Sequence, residues 1–308
     1  MKVAILLLAH KNEDQLRRLI SALRHENVDI FVHLDKKSPI SQDALQDLNV
    51  TFTQNRVDVG LFEFSMVEAE KELIRTAKSC GKYDYFILLS GQCYPLVTVD
   101  ALYEALKVQY PKPLIEIVAP TESNYVGRNF RHVTAMKRFK QRTYAYLKKN
   151  FSYRTYRLLR YFPGGLTWAA SGIKEWFVTA PKKRLDGLGI LPYCGSQWWI
   201  LPDSVIDRVD AFFDNEAFCK IVSDCFSSDE TFFQTAIMTQ PEKNGIVTDG
   251  NGNYMEGKWF FVFQDGHPVL LGKENYQQIV DSGMLFARKF DTEFDGEILD
   301  LLDAFTGR

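Results

Sequence analysis

One carboxylate and a pair of indoles form the most chemically informative pattern in this chain. Glu230 lies in the stretch Ser227-Ser228-Asp229-Glu230-Thr231-Phe232-Phe233, and Trp198 and Trp199 end the stretch Gly195-Ser196-Gln197-Trp198-Trp199. A positioned carboxylate can take the proton of an attacking hydroxyl group, and an outward indole can stack on the C–H groups of a sugar ring. These residue types are candidates for a site of sugar chemistry, with Glu230 as its base and Trp198 and Trp199 as substrate contacts.

The same residues also have purely structural interpretations. Ser227 followed three residues later by Glu230 is a capping box, in which the Glu230 side chain bonds the backbone N–H of Ser227. Adjacent Trp residues belong to a core more often than to a sugar platform, although alternation along a strand sends one indole inward and the other outward. Taken alone, these two segments favour a cap and a core.

The first half of the chain alternates apolar strands with helices that begin at capping residues. Strands are predicted at Lys2 to His10, Val28 to Leu34, Val50 to Gln54, Tyr83 to Ser90 and Leu114 to Val118, with helices opening at the capping boxes of Asn12 and Ser65. This alternation predicts an α/β fold with a mostly parallel sheet, whose ligands lie beyond the carboxyl ends of the strands. Those ends carry His10, Asp35 and Gln92, so a nucleotide is expected there. Asp35 is as well explained as a turn former, and His10 as a strand end.

Composition excludes several classes of protein. The 308 residues carry a net charge of −2, which gives no overall bias toward nucleic acid, and none is expected as a partner. Five cysteines without CxxC spacing indicate neither a zinc site nor a disulfide framework. The apolar start fits a buried strand better than a signal peptide, and no apolar run reaches membrane-spanning length. A soluble, cytoplasmic protein is expected.

Familiar phosphate and metal motifs are missing. The chain has no GxGxxG or GxxxxGK[ST] motif, and no HExxH or GxSxG motif. The strand that ends at Ser90 is followed by Gly91-Gln92-Cys93-Tyr94 rather than by an Asp-x-Asp pair that could hold a divalent cation. No metal is expected, so bound phosphates must meet cationic side chains or backbone donors.

A basic insertion of helical character is predicted before the sheet resumes. Residues 128–160 contain eleven Lys or Arg and no Asp or Glu, interleaved with Phe and Tyr. A solvated face is the usual explanation for such a run, and RNA binding is a weaker one. Basic and aromatic residues on one helix also suit an anionic membrane surface. Peripheral association with the inner face of the membrane, where a lipid-linked glycan would be presented, is therefore one hypothesis.

Several stretches along the chain match a known family together. They are Ala9-His10-Lys11, His33-Leu34-Asp35-Lys36-Lys37-Ser38, Phe64-Ser65-Met66-Val67-Glu68-Ala69, Tyr83-Asp84-Tyr85-Phe86-Ile87-Leu88-Leu89-Ser90-Gly91-Gln92, Gly195 to Trp199, Ser227 to Phe233, His267-Pro268 and Leu285-Phe286-Ala287-Arg288-Lys289-Phe290-Asp291. Each is weak alone. Together they resemble the core 2/I-branching β-1,6-N-acetylglucosaminyltransferase family, glycosyltransferase family 14, which includes peptide O-xylosyltransferases and bacterial relatives.

The resemblance implies a GT-A-like fold and an inverting, metal-free transfer of N-acetylglucosamine or xylose from a UDP-sugar to an oligosaccharide, polysaccharide or lipid-linked glycan. Carried over by position, Asp35 holds the uridine, Glu230 is the base and Lys289 faces the diphosphate. Arg288 is the candidate for a second cation that some members place upstream of the lysine. Cys93 stands where relatives usually have Asp.

A single GT-A-like domain over residues 1–308 is expected. It comprises a nucleotide-binding half (1–120), the basic insertion (128–165) and a catalytic, acceptor-binding half (166–308). Two alternatives stay open. A glycoside hydrolase also uses carboxylates and Trp platforms, but it needs a second acid near Glu230. A non-catalytic module on the same fold would bind sugar or nucleotide without turnover.

Overall fold

An unbroken apolar strand forms the middle of the main sheet. In a computed structural model, which describes residues 1–61, 63–119, 181–225, 227–264 and 267–308, every residue of β1 (Val3–Ala9) is buried. β1 pairs in parallel with β2 (Val28–Leu34) and with β4 (Tyr85–Ser90). Parallel strands covered on both faces have this continuous apolar character. β3 (Thr51–Phe52) and β7 (Ile200–Pro202) complete the order β3-β2-β1-β4-β7, in which only the β4–β7 pair is antiparallel.

Helices pack around this sheet, and α2 contacts both β1 and β2. The helices of the described residues are α1 (Glu13–Ala22), α2 (Ser65–Cys80), α3 (Val99–Gln109), α4 (Pro181–Asp186), α5 (Asp203–Phe213), α6 (Glu216–Val222), α7 (Phe232–Met238), α8 (Tyr276–Val280) and α9 (Glu297–Thr306). Short 3-10 helices lie at Asp43–Leu48, Ser228–Glu230, Glu242–Asn244 and Lys273–Asn275.

A second, smaller sheet brings the last quarter of the chain to the main one. It consists of β5 (Cys93–Pro95), β12 (Phe286–Arg288) and β9 (Trp259–Phe260), with β12 in the middle. The remaining strands form two antiparallel pairs, β6 (Glu116–Ile117) with β8 (Tyr254–Met255) and β10 (Phe263–Gln264) with β11 (His267–Pro268). Because β5 follows β4 almost directly, the small sheet lies next to the carboxyl end of the main sheet.

The predicted α/β, GT-A-like fold class is confirmed, with the 3-2-1-4 strand order of Rossmann-type sheets. The Asn12 cap is confirmed as well, since its Oδ1 accepts from the backbone N–H of Gln15 at 3.1 Å. The capping box predicted at Ser65 is wrong. α2 begins at Ser65 itself, whose Oγ instead accepts from the N–H of Gly60 at 2.8 Å.

The basic run at 128–160 and its hypothesis of membrane association lie outside the described residues. Within the described ranges, no helix is long and apolar enough to cross a bilayer.

One carboxylate ties the C-terminal helix to the rest of the fold. Asp303 on α9 accepts from Arg18 of α1 at 2.7 and 3.0 Å, from the hydroxyl of Tyr94 on β5 at 2.7 Å, and from Arg308 at 3.0 Å. Burial raises the pKa of Asp303, but these hydrogen bonds outweigh it and hold the pKa below its ordinary value. Its stabilising effect is present above the unfolded pKa and is lost as the pH falls through the folded pKa.

Replacing Asp303 by Asn should lower the free energy of unfolding by about 1–3 kcal/mol at pH 7, because a buried charge-assisted network loses its acceptor charge. The difference from wild type should shrink as the pH approaches about 3. Asp300→Asn is the matched control, since Asp300 binds the same Arg18 but its side chain is 70% exposed. Urea unfolding at several pH values measures both, and equal losses for the two variants would contradict this role of Asp303.

Candidate active site

Three turns meet at the carboxyl edge of the main sheet. The backbone N–H of Asp35 donates to the carbonyl of Ala9 at 2.8 Å, and that of Gly91 donates to the carbonyl of Leu8 at 2.9 Å. These bonds extend the strand ladders by one residue, so the turns after β1, β2 and β4 stay side by side. His10, which is exposed, lies at this edge as predicted.

Asp35 is buried there and acts as the turn former that its position allowed. Its Oδ1 accepts from the backbone N–H of Lys37 at 2.7 Å. It also lies near enough to His10 to act on it electrostatically. The pKa of His10 is lowered by burial and by the cations of Lys11 and Lys289, against the opposing carboxylate of Asp35. Contact with a uridine stays a prediction for both residues.

Gln92 has a structural role that its position did not reveal. Its side chain is 5% exposed, and its Nε2 donates to the carbonyl of Phe290 at 3.1 Å. Gln15 donates to the same carbonyl at 3.2 Å. The two amides join the small sheet to the main one, and direct contact of Gln92 with a substrate stays a prediction.

Three cations converge beside this junction. Lys289 follows β12 directly, and its pKa is lowered by burial and by the positive charges of Arg288 and Lys11, with Asp291 opposing. Lys11 forms an ion pair with Asp291. Arg288 and Lys289 were candidates from the sequence. Lys11 was quoted there only as part of the family resemblance, because nothing local indicates that its side chain lies beside Lys289.

Arg288 is half-buried, with a buried Nε, and its guanidinium stacks on an indole. Its Cζ lies 4.1 Å from the ring centroid of Trp198, a distance typical of a cation–π interaction. Burial lowers the pKa of Arg288, while the nearby groups of Cys93, Asp229 and Glu230 oppose that shift. Among the described residues, its Nε has no hydrogen-bond partner. The N–H at Nε of Arg288 therefore remains available as a hydrogen-bond donor in a site that already holds carboxylates.

Cys93 lies opposite Arg288 in the strand pairing of β5 with β12. Its thiol is fully buried and accepts from the backbone N–H of Ser90 at 3.4 Å. The departure from the family pattern at this position therefore places a buried, hydrogen-bonded thiol beside the guanidinium. Asp229 and Glu230 add the carboxyl groups that act on the Arg288 charge.

Glu230 ends the 3-10 turn Ser228–Glu230 and is partly exposed. The turn is held through the backbone, since Gly195 N–H donates to the carbonyl of Glu230 at 2.9 Å and Glu230 N–H donates to that of Ser227 at 3.1 Å. The Ser227 hydroxyl is buried and has no partner within the part of the chain that the structure describes. The reciprocal capping box is therefore not formed, because the Ser227 hydroxyl does not accept from the Glu230 N–H.

The expected outward-facing indole is absent, because both tryptophans are buried. Trp199 is 0% exposed and packs against Phe233 with the ring centroids 5.0 Å apart, so it belongs to the core. Trp198 is 5% exposed, and the guanidinium of Arg288 stacks on its ring. The alternation argument fails here since β7 starts only at Ile200, after both indoles. Trp199 cannot stack on a sugar in this conformation.

Two buried carboxyl groups lie behind Glu230 and were not identified from the sequence. Asp229 is 8% exposed, and Glu70 on α2 is 0% exposed. A signal for Glu70 existed, because it falls on the apolar face of α2, at helical spacing from Val67, Ile74 and Ala77. No cluster of three or more His, Cys, Asp or Glu suited to a metal occurs in the described ranges.

Comparisons with known proteins point to one family. The family model described as "Core-2/I-Branching enzyme" matches residues 3–157. The mouse protein "Beta-1,3-galactosyl-O-glycosyl-glycoprotein beta-1,6-N-acetylglucosaminyltransferase 4" is 22% identical over 97% of this chain and 64% of its own length. The Arabidopsis thaliana protein "Beta-glucuronosyltransferase GlcAT14B" is 24% identical over 98% of this chain and 65% of its own length. The chain thus spans just under two thirds of the length of these two relatives.

Among solved structures, mouse xyloside xylosyltransferase 1 in its apo form covers 78% of this chain and 83% of its own. Its TM-score is 0.34 and its sequence is 10% identical.

Substitution of Gly195 should destabilise the fold strongly. A Cβ at this position would lie 1.8 Å from the backbone oxygen of Glu116 and 2.7 Å from its carbonyl carbon, and backbone atoms cannot rotate away. We expect Gly195→Ala to lower the free energy of unfolding by about 3 kcal/mol or more. Gly250→Ala is the control, because a Cβ there has nothing within 4 Å, and its effect should stay within about 0.5 kcal/mol. Urea unfolding, followed by tryptophan fluorescence, measures the stability of both variants. Similar unfolding midpoints would show that the close contact at Gly195 is not a constraint.

Proposed function

The chain belongs to the Core-2/I-Branching enzyme family, and from this premise we propose that it is a glycosyltransferase that moves a sugar from a UDP-sugar to a hydroxyl group of a glycan. The proposed reaction inverts the anomeric centre, needs no metal, and uses Glu230 as its base. The names of the two relatives, an N-acetylglucosaminyltransferase and a glucuronosyltransferase, support sugar transfer as the activity.

One observation carries this proposal: a partly exposed carboxylate and a group of cations lie within electrostatic reach of each other. Glu230 acts on the Arg288 guanidinium, and Arg288 and Lys11 both act on Lys289. A transfer reaction needs these two kinds of charge on opposite sides of the reacting carbon. The carboxylate takes a proton from the attacking group, and the cations meet the charge of the departing one.

In the proposed step, the acceptor hydroxyl gives its proton to the Glu230 carboxylate as its oxygen forms a bond to the anomeric carbon. The bond between that carbon and the diphosphate oxygen breaks, and its electron pair leaves with UDP. Lys289 and Arg288 stabilise the negative charge that develops on the diphosphate. Fixed cations in a partly buried site do this without reorganising at the moment of reaction.

Lys289 is well suited to that task because burial and its cationic neighbours already lower its pKa. A cation held near other cations gains more from a dianionic ligand than an isolated surface lysine does, since the ligand relieves the repulsion. Lys11 adds a third positive charge, which its pairing with Asp291 keeps at the site before any donor arrives.

Two positions at the sheet edge, the buried Asp35 and the exposed His10, fit the nucleotide end of the donor. Asp35 would accept from the uridine, and His10 lies beside it in the next turn. The lowered pKa of His10 keeps its imidazole neutral at pH 7, so it can contact a base or ribose without adding charge.

Glu230→Gln tests the role of the base. Released UDP is counted in EDTA with UDP-N-acetylglucosamine, UDP-xylose and UDP-glucuronic acid as donors, while thermal unfolding with UDP reports binding. We expect the rate of UDP release by the variant to fall by about 100-fold or more, because a general base contributes about 10²–10⁴-fold to the rate. UDP should still raise its melting temperature as it does for wild type.

Glu242→Gln is the matched control for this experiment, since Glu242 is an exposed carboxylate. It should release UDP at the wild-type rate. Wild-type turnover by Glu230→Gln, with normal protection by UDP, would remove Glu230 from the proposed mechanism. If neither UDP nor any UDP-sugar raises the melting temperature of the wild-type protein, the proposal that a UDP-sugar is the donor fails.

A further inference from the structure

The reaction proposed above leaves one buried ionisable group without a use. Glu70 lies on α2, beneath the turn Ser228–Glu230, which α2 contacts. Its side chain is 0% exposed, and its Oε1 accepts from Nε2 of Gln197 at 2.8 Å. Its second oxygen, Oε2, is buried and has no hydrogen-bond partner in the described part of the chain. A buried carboxylate normally needs a cation or several donors, and Glu70 has one amide.

The charged group that acts on Glu70 has the wrong sign to stabilise an ionised carboxylate. Asp229, in the turn above it, is 8% exposed, and its Oδ1 is likewise buried without a partner among the described residues. Two ionised carboxylates that act on each other in a buried site disfavour each other's charge. A proton on one of them removes that charge and supplies a donor, whereas both unpartnered oxygens would otherwise be acceptors.

The described cations nearby are engaged elsewhere. Arg288 on β12 acts on Asp229 and Glu230. Three further cations lie on α2. Lys71 lies over the ring of Phe213, 5.9 Å from its centroid. Arg75 and Lys78 bind carboxylates of α5 and its C-terminal end, which are Asp207, Asp210 and Asp214. Glu68, on the same helix, is exposed. Glu70 therefore faces one carboxyl group and one neutral amide.

We propose that Glu70 is a positioning residue of the site: held as the neutral acid, it anchors Gln197 to α2 and leaves Asp229 as the carboxylate that faces Arg288. This inference rests on the proposed function for its catalytic meaning, but not for the protonation of Glu70. The direction of the pKa shift of Glu70 agrees with a neutral acid at this position. Burial, and then the charge of Asp229, raise the pKa of Glu70 well above its ordinary value. Burial also raises the pKa of Asp229 to about 6, with backbone donors and Arg288 opposing.

Gln197 connects Glu70 to the reacting groups. It lies between Ser196, whose carbonyl accepts from Nε2 of Gln234 at 2.7 Å, and Trp198, on which Arg288 stacks. One residue further back, Gly195 N–H donates to the carbonyl of Glu230 at 2.9 Å. Residues 195–198 therefore link α2, the Glu230 turn and the guanidinium. A third negative charge beneath this segment would oppose ionisation of Glu230, which must be a carboxylate to act as a base.

The proposal predicts a particular pH dependence of stability. The folded pKa of Glu70 lies above its unfolded value, which is about 4.3. Its contribution to stability is fully present below the unfolded pKa and is lost as the pH rises through the folded pKa. Glu70→Gln keeps the size and the acceptor for Gln197 but cannot ionise, so it should not suffer this loss.

The experiment compares thermal unfolding of wild type, Glu70→Gln and the control Glu68→Gln between pH 5 and 8.5. We expect the melting temperature of Glu70→Gln, relative to wild type, to rise with pH by about 2 °C or more, whereas Glu68→Gln shows no such trend. A difference that is constant or falls with rising pH would overturn the proposal, since Glu70 would then be an ionised partner.

Infrared spectroscopy tests the protonation of the folded protein directly. The folded wild-type protein at pH 7 should show the C=O stretch of a protonated carboxyl group, and Glu70→Gln should lose that band. Absence of the band from the wild type would overturn the proposal, as would its persistence in Glu70→Gln.

Turnover separates a positioning role from mere support of the fold. Glu70→Ala should lower kcat for UDP release by about tenfold or more with little change in KM for the donor, and Glu70→Gln should restore most of that loss. A change in KM alone, or no rescue by Gln, would contradict positioning. If wild type turns over no UDP-sugar, the proposed function fails, while melting and infrared data still decide the state of Glu70.

Discussion

The positive charge of the half-buried Arg288 is the constraint on which the rest of the site depends. Removing a guanidinium from water costs several kcal/mol unless charges and hydrogen bonds compensate. Here the compensation comes from the ring of Trp198, 4.1 Å away, and from the carboxyl groups of Asp229 and Glu230. These groups come from three separate stretches of the chain. The turn that carries Glu230, the segment before β7 and strand β12 therefore have to be placed together, and a cation beside the candidate base follows from that packing.

Backbone hydrogen bonds hold the other cation in place. Lys289 lies between two fixed points: its own carbonyl accepts from Leu271 N–H at 2.9 Å, and Phe290 N–H donates to the carbonyl of Gln92 at 3.0 Å. The side-chain amides of Gln15 and Gln92 both donate to the carbonyl of Phe290. The small sheet is thus joined to the main one by side chains rather than by a continuous ladder. The benefit for function is preorganisation, since the charge of Lys289 is in position before a ligand arrives.

Local signals in the sequence were sufficient for the main sheet but not for the site. β2 has the predicted bounds, Val28–Leu34, because its apolar run has clear ends. β5 and β12 were not predicted as strands. With three residues each, they have no period of their own and exist through their pairing with each other. The C-terminal helix α9 was missed as well, although its apolar positions, Ile298, Leu299 and Leu302, are fully buried.

The candidate base and two cations could be named from the sequence only because the chain resembles a family. Their surroundings could not be named, since they depend on contacts between distant segments. Lys11 lies beside Lys289, although most of the sequence separates them. Glu70 lies beneath Asp229, although about half of the sequence separates that pair. The prediction of an outward indole failed for a related reason. Alternation describes a strand, whereas Trp198 and Trp199 precede β7 and are buried by Arg288 and Phe233.

Calorimetric titration of UDP in EDTA tests the central claim, that cations bind the donor while a separate carboxylate acts as the base. The protein and its Lys289→Met, Glu230→Gln and Lys220→Met variants would be compared, Lys220 being an exposed lysine of α6. The account predicts that Lys289→Met weakens UDP binding by about tenfold or more, since a hydrogen bond to a charged group contributes about 1.5–3 kcal/mol. Glu230→Gln and Lys220→Met should bind UDP as wild type does. Unchanged affinity in Lys289→Met, or equal loss in all three variants, would contradict the account.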